Sequence, residues 1–183
     1  MGASDEELML AYAGGDAGAF EALYAKHKGG LFRFVLRSVK TRGEADEIFQ
    51  DVWMRAIEAR ERYRPQAKFA TWLYTIAHHR LIDHWRARGL AVASLDDDER
   101  PVEEPAAAPD VEPERIAVAS QMLERLAAAI AALPLAQREA FLLRQESGLG
   151  IAEIARATGT NEEAAKSRLR YAMNKLREAI GDD

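Results

Sequence analysis

Ile151-Ala152-Glu153-Ile154-Ala155-Arg156-Ala157-Thr158-Gly159-Thr160-Asn161, running on through Glu162-Glu163-Ala164-Ala165-Lys166-Ser167-Arg168-Leu169-Arg170, is the stretch whose reading decides the fold. Its first eight residues form a short helix with the apolar residues on one face. Gly159 breaks that helix, because glycine tolerates the left-handed backbone angles that a tight inter-helix turn needs. Asn161 is placed to cap a second helix, and Glu162 and Glu163 sit in its first turn, where carboxylates complement the helix dipole. Ala165, Leu169, Ala172 and Leu176 fall on one face of that helix. The other faces carry Lys166, Ser167, Arg168, Arg170, Asn174, Lys175 and Arg177, and no acid interrupts Lys166 to Arg177. A short helix, a sharp turn and a longer basic helix give the geometry that enters a DNA major groove. The plainer reading is a solvated amphipathic helix, and the rest of the chain has to decide between the two.

The chain has 183 residues, 48% of them apolar, enough for one ordinary core or two small ones. A formal net charge of −5 argues against indiscriminate coating of nucleic acid, but the charge is unevenly placed. There is no cysteine, which excludes disulfides and thiolate zinc sites and fits a reducing compartment. The acidic N-terminus lacks the basic-then-apolar order of a signal peptide, and no apolar run approaches the roughly 20 residues that span a bilayer. The expectation is a soluble cytoplasmic protein.

Upstream, Ser4-Asp5-Glu6-Glu7 has the form of a capping box, with Leu8, Ala11 and Tyr12 beginning an apolar stripe. Gly14-Gly15 ends that helix and Asp16 caps the next, which carries Phe20, Leu23, Tyr24 and His27. Gly29-Gly30 is expected to interrupt it before Leu31, Phe34, Val35 and Val39 resume the period. Lys40-Thr41-Arg42-Gly43 reads as a turn. An amphipathic helix follows from about Glu44 to Ala59, burying Ile48, Phe49, Val52, Trp53, Ala56 and Ile57. A basic connector, Arg60 to Lys68, leads to another helix from about Ala70 to Arg88. Between residues 89 and 112, Asp96, Asp97, Asp98, Glu99, Glu103, Glu104 and Asp110 alternate with three prolines, a composition that disfavours a packed core. Pro113 suits the first position of a helix whose stripe is Ile116, Ala119, Leu123, Leu126, Ile130 and Leu133. Gln137 to Gln145 forms the next helix, with Phe141 and Leu142 as core candidates. No segment alternates as a strand would. The fold class is therefore all-α: a helical bundle over residues 1–88, a flexible acidic linker over 89–112, and a helix-turn-helix domain over 113–183.

Nothing points to an enzyme. The four histidines, His27, His78, His79 and His84, stand in no close-spaced ligand pattern, and there is no phosphate loop or nucleophile elbow. No metal, cofactor, small-molecule substrate or catalytic residue is expected. Two other constellations rise above background. Glu44, Asp46, Glu47 and Asp51 lie on the outer side of the helix bearing Trp53. Acids near a helix start usually serve the dipole, yet Glu47 and Asp51 are one turn apart with no cation between them, a repulsion that a basic partner would relieve. Arg60, Arg62, Tyr63, Arg64, Lys68, Phe69, Trp72, Tyr74, His79, Arg80, Trp85, Arg86 and Arg88 interleave rings with cations. Such rings are most often core, as expected for Trp85. The pattern also suits single-stranded nucleic acid, with rings for stacking and cations for phosphates.

The order of these parts resembles a bacterial sigma-70 family sigma factor of the extracytoplasmic-function (ECF) branch. The matching blocks are Ala45-Asp46-Glu47-Ile48-Phe49-Gln50-Asp51-Val52-Trp53, Phe69-Ala70-Thr71-Trp72-Leu73-Tyr74-Thr75-Ile76-Ala77, Leu133-Pro134-Leu135-Ala136-Gln137-Arg138-Glu139-Ala140-Phe141-Leu142-Leu143-Arg144, and Ile151-Ala152-Glu153-Ile154-Ala155 with Lys166-Ser167-Arg168-Leu169. The resemblance implies that Glu44, Asp46, Glu47 and Asp51 hold core RNA polymerase. It implies that Arg62, Arg64, Lys68, Phe69, Trp72, His79 and Arg80 open and read a melted −10 element, with Phe69 and Trp72 against unstacked bases. It places Lys166, Ser167, Arg168, Arg170, Tyr171 and Asn174 on a duplex −35 element. It further implies a monomer when free, held by an anti-sigma factor. The sequence departs from the family pattern at Glu162-Glu163-Ala164-Ala165, Thr160, Tyr171 and Met173, which bears on the −35 sequence read. A different class, a helix-turn-helix regulator with an N-terminal sensing or dimerising bundle, would differ by binding its duplex without polymerase.

Overall fold

The computed structural model describes residues 2–90 and 114–181, and every regular element among them is helical. The N-terminal half contains α1 (Asp5–Ala13), α2 (Ala17–Ser38), α3 (Arg42–Glu58), a single 3-10 turn at Arg60–Arg62, and α4 (Phe69–Ala87). The C-terminal half contains α5 (Glu114–Ala132), α6 (Leu135–Ser147), α7 (Ile151–Thr158) and α8 (Glu162–Gly181). Of the linker expected over 89–112, residues 91–112 lie outside the described residues, as does Pro113.

Local signals set most helix starts. The Ser4 hydroxyl accepts from Glu7 N, the Glu7 carboxylate returns to Ser4 N, and Asp16 accepts from Ala19 N. Thr41 and Glu44 form a second capping box, so α3 starts at Arg42 rather than in the turn expected over 40–43. The larger correction concerns α2, which runs unbroken through Gly29-Gly30. Each helical glycine costs only about 1 kcal/mol relative to alanine, and Leu23, Leu31, Phe34 and Val35, all fully buried, hold the helix on both sides of the pair.

Inside the N-terminal half, Trp53 lies edge-on to Phe20 and Tyr24, with ring centroids 5.8 and 5.1 Å away. Trp85 is buried and donates from Nε1 to the Ser38 carbonyl at 3.2 Å. The core does not stop there. α6 packs on α2 and α7 on α4, so Phe34 and Tyr74 share one apolar cluster with Leu142, Leu149 and Ile154. Of the stripe expected on α5, Ile130 and Leu133 are buried and Leu126 half-buried, but Leu123 is 67% exposed. Among the described side chains of this stripe, cover is found at Leu126, Ile130 and Leu133 and not at Leu123. In the turn between α6 and α7, Gly148 has a φ of +69°, which favours glycine.

Candidate nucleic-acid and polymerase interface

The helix-turn-helix forms as its sequence requires. Gly159 closes α7 at a φ of +66°, and the Asn161 side chain accepts from Ala164 N at 2.8 Å to start α8. Ala165, Ala172 and Leu176 are buried and anchor α8 on α5, α6 and α7. Lys166, Arg170, Tyr171 and Asn174 are exposed, whereas Ser167 and Arg168 are half-buried. Lys166, Arg170 and Asn174 follow at four-residue spacing and form one row. The Arg170 guanidinium lies 5.3 Å from the Tyr171 ring centroid, within cation–π range, a pairing the sequence reading did not make.

The basic aromatic helix differs from expectation at two residues. The sequence sets Phe69 before the helix, and the family resemblance sets it against unstacked bases. It is instead the first residue of α4 and 1% exposed, with the rings of His27, Trp72 and Tyr63 5.1, 5.8 and 6.4 Å away. Its backbone N–H donates to Glu6 Oε1 at 2.6 Å. Lys68, at the N-cap, makes no side-chain cap, so a carboxylate from α1 supplies it. Burial, followed by Glu6 and Asp5, pushes the Tyr63 phenol up to about 12, which keeps it neutral against Trp72, 5.0 Å away edge-on. Trp72 itself is half-buried, and Arg62, Arg64, Lys68 and His79 are exposed. Burial and then the neighbouring His78 hold the His79 imidazole below its ordinary value, so at neutral pH it offers hydrogen bonds rather than charge.

Arg80 is the second difference. Its side chain is 13% exposed, with Nε donating to Asp51 Oδ2 at 2.7 Å and Nη2 lying 3.5 Å from Glu47 Oε1. The acidic pair read as lacking a cation therefore has one, delivered from α4. Glu44 is likewise engaged, by the capping box and by Arg88. Among the described residues no cation pairs with Asp46, which is exposed.

Four residues of the C-terminal half that sequence reasoning missed join the two halves. Glu139 on α6 is 2% exposed, and its Oε1 lies 2.6 Å from His78 Nδ1 of α4. Glu146 at the end of α6 meets Arg33 and Arg37 of α2 at 2.7 and 3.3 Å. Glu153 on α7 meets Lys68 at 2.7 Å, and Arg156 donates to the Gln66 carbonyl at 3.3 Å. Lys68 and the Gly150 N–H hold the Glu153 carboxyl below its ordinary value. A lowered carboxyl pKa stabilises the folded form above the unfolded pKa, so this contribution is present at neutral pH and is lost as the pH falls through the folded value. The available sequence signal was Glu139, a carboxylate on the apolar face of α6 between Ala136, Ala140 and Leu143.

The family model for sigma-70 region 2 matches residues 23–90, and that for sigma-70 region 4 matches residues 123–176. The ECF RNA polymerase sigma factor SigM of Mycobacterium tuberculosis is 31% identical over 179 residues, covering 97% of this chain and 85% of that one. The RNA polymerase sigma factor CarQ of Myxococcus xanthus is 31% identical over 176 residues, covering 95% and 96%. In fold, the chain is similar to CnrH in its complex with the cytosolic domain of CnrY, with a TM-score of 0.71 at 23% identity and 99% of both chains covered. It is also similar to the sigma factor RpoE of Bartonella quintana, in complex with the anti-sigma factor NepR, with a TM-score of 0.67 at 23% identity and 90% and 98% covered. With both sigma segments present in order and relatives at this identity matching almost end to end, the chain belongs to the ECF branch of the sigma-70 family of RNA polymerase sigma factors.

Proposed function

We propose that the protein is an alternative sigma factor that binds core RNA polymerase and directs promoter-specific initiation, leaving the chemistry to the polymerase. The observation that carries this reading is the ordered pair of sigma segments, with an exposed basic row on α8 of the second. Residues 1–88 serve as region 2, 113–183 as region 4, and 89–112 as the tether. Binding of the melted −10 strand falls to Arg62, Arg64, Lys68, Trp72 and His79. Phe69 and Arg80 act behind them, one as the core under Trp72 and one as the clamp that fixes α4 to α3. The −35 duplex meets Lys166, Arg170, Tyr171 and Asn174, with Ser167 and Arg168 at the edge. The protein works in the cytoplasm, where polymerase and promoter are, as a monomer when free. Two of the solved relatives in fold are bound to CnrY and to NepR, which supports an anti-sigma partner here also. Gel filtration with core polymerase and a promoter fragment tests the assignment: the protein should co-elute with polymerase, and the fragment should join only when both are present. Tight duplex binding by the protein alone would replace this reading with that of an ordinary regulator.

The polymerase contact centres on Asp46, flanked by Glu44, Glu47 and Asp51. Asp46→Lys should leave folding stability within about 0.5 kcal/mol, as for other surface substitutions. It should slow association with core polymerase at low salt, because exposed interfacial charges act mainly on the on-rate. Stopped-flow association of a labelled protein reads this directly. An on-rate equal to that of the parent protein at every salt concentration would remove this face from the dock.

A further inference from the structure

The first turn of α1 carries three acids, and each is committed to a different helix. Glu7 closes the capping box with Ser4, so the start of α1 itself is served. Asp5 reaches α2, with Oδ1 2.7 Å from Lys26 Nζ and Oδ2 2.8 Å from His27 Nε2. Glu6 reaches α4 and accepts the Phe69 N–H at 2.6 Å. Near its other end α1 meets the connector again, where the Arg60 guanidinium lies 5.9 Å from the Tyr12 ring centroid. α1 thus touches both ends of the segment that carries Arg62, Arg64 and Lys68, all exposed. It also precedes residue 23, where the match to sigma-70 region 2 begins.

We propose that Glu6 is a positioning residue for capture of the −10 strand: it caps α4 from another helix and so leaves the N-cap position to a strand-binding cation. The inference rests on the reading of α4 and its connector as the strand reader. The first N–H groups of a helix have no partner within it, and a Ser, Thr, Asp or Asn at the N-cap commonly supplies one. Position 68 is a lysine, which donates but cannot accept, and the first turn of α4 holds no acid. The residue that suits a phosphate is therefore the wrong residue for a cap. Glu6 removes the conflict, and its charge also suits the positive end of the α4 dipole. Asp5 braces the same point, since the His27 ring that it holds lies 5.1 Å from the Phe69 ring. Lys68 and Trp72 are thereby presented from an ordered first turn, and less ordering is needed when the strand arrives.

Glu6→Ala, Glu6→Gln and Glu6→Asp in the full-length protein test this role. Glutamine keeps the reach and an accepting oxygen, whereas aspartate keeps the charge but is one methylene short. Each variant, bound to core polymerase, is mixed with a promoter fragment recovered by run-off transcription and carrying a fluorescent base in its −10 element. The dependence of the rate on holoenzyme concentration separates initial binding from opening. Glu6→Ala and Glu6→Asp should open about fivefold more slowly, the equivalent of one lost helix cap, with initial binding unchanged. Glu6→Gln should stay within about twofold of the parent. Val35→Ala, a fully buried truncation on α2, controls for stability: its urea midpoint should fall at least as far, with opening at the parental rate. The Phe69 amide should exchange slowly in the parent and Glu6→Gln, and fast in Glu6→Ala. Parental opening by Glu6→Ala, or equal defects in Glu6→Ala and Val35→Ala, would overturn the positioning role. Normal opening by Glu6→Asp beside a defect in Glu6→Gln would also overturn it, by reducing Glu6 to a general charge. If Glu6→Ala does not fold, the glutamine and aspartate variants decide alone. Normal opening by Trp72→Ala would remove the −10 reading and this inference together, whereas a Trp72→Ala defect beside normal opening by Glu6→Ala would remove the inference alone.

Discussion

Phe69→Ala is expected to cost about 3–5 kcal/mol of folding stability, the range for truncating a fully buried phenylalanine. Its ring closes the space between His27, Tyr63 and Trp72, and its backbone N–H takes the Glu6 carboxylate. Removing it leaves a cavity under the start of α4, beside Lys68 and Trp72, the residues proposed to capture the strand. Trp72→Ala should behave differently. Trp72 is half-buried, so the variant should stay folded while losing about 1–3 kcal/mol of stacking on an unpaired base. Urea unfolding, paired with permanganate reactivity of the opened promoter, separates the two. A Phe69→Ala protein with the parental unfolding midpoint and the same opening defect as Trp72→Ala would return Phe69 to the DNA contact that the family resemblance implies.

The second large effect concerns α8. Arg170→Ala should relax preference at one base pair of the −35 element, because a bidentate arginine–guanine contact is worth about 1–3 kcal/mol. Arg170 is exposed, shares a row with Lys166 and Asn174, and is steadied over the Tyr171 ring. Arg168 points about 200° away from it around the helix. It is half-buried and already engaged within the protein, which suits a backbone contact better than a base edge. Arg168→Ala should weaken all promoters alike and flatten the salt dependence by about one unit. Transcription of a −35 library with each variant measures both. Uniform loss from Arg170→Ala and position-specific loss from Arg168→Ala would exchange the two roles.

What the sequence shows and what it hides divide along the range of the interactions. The turn between α7 and α8 is legible because Gly159 and Asn161 act on their own neighbours. The same holds for the capping box at Ser4. The box at Thr41 is equally local, but Gly43 inside it suggested a turn. Gly29-Gly30 suggested a break for the same reason, although Gly30 is small to admit the Glu146 backbone, more than a hundred residues later in the chain. Glu47 and Asp51 looked unpaired because their cation, Arg80, comes from another helix. The burial of Phe69 was not legible because rings among cations carry no label saying which of them are core. Exposure of Leu123 is hidden in a stripe whose Ile130 and Leu133 are buried. For Gly30, for Glu47 and Asp51, and for Phe69, the deciding partner came from elsewhere in the fold.

Run-off transcription of a promoter library by purified core polymerase, with and without the protein, tests the central claim most directly. The expected result is a set of transcripts that appears only with the protein, starting downstream of one shared bipartite sequence, while the protein alone leaves the same duplexes unshifted. Contradiction would be a protein that binds a defined duplex site by itself and yields no new transcript with the polymerase.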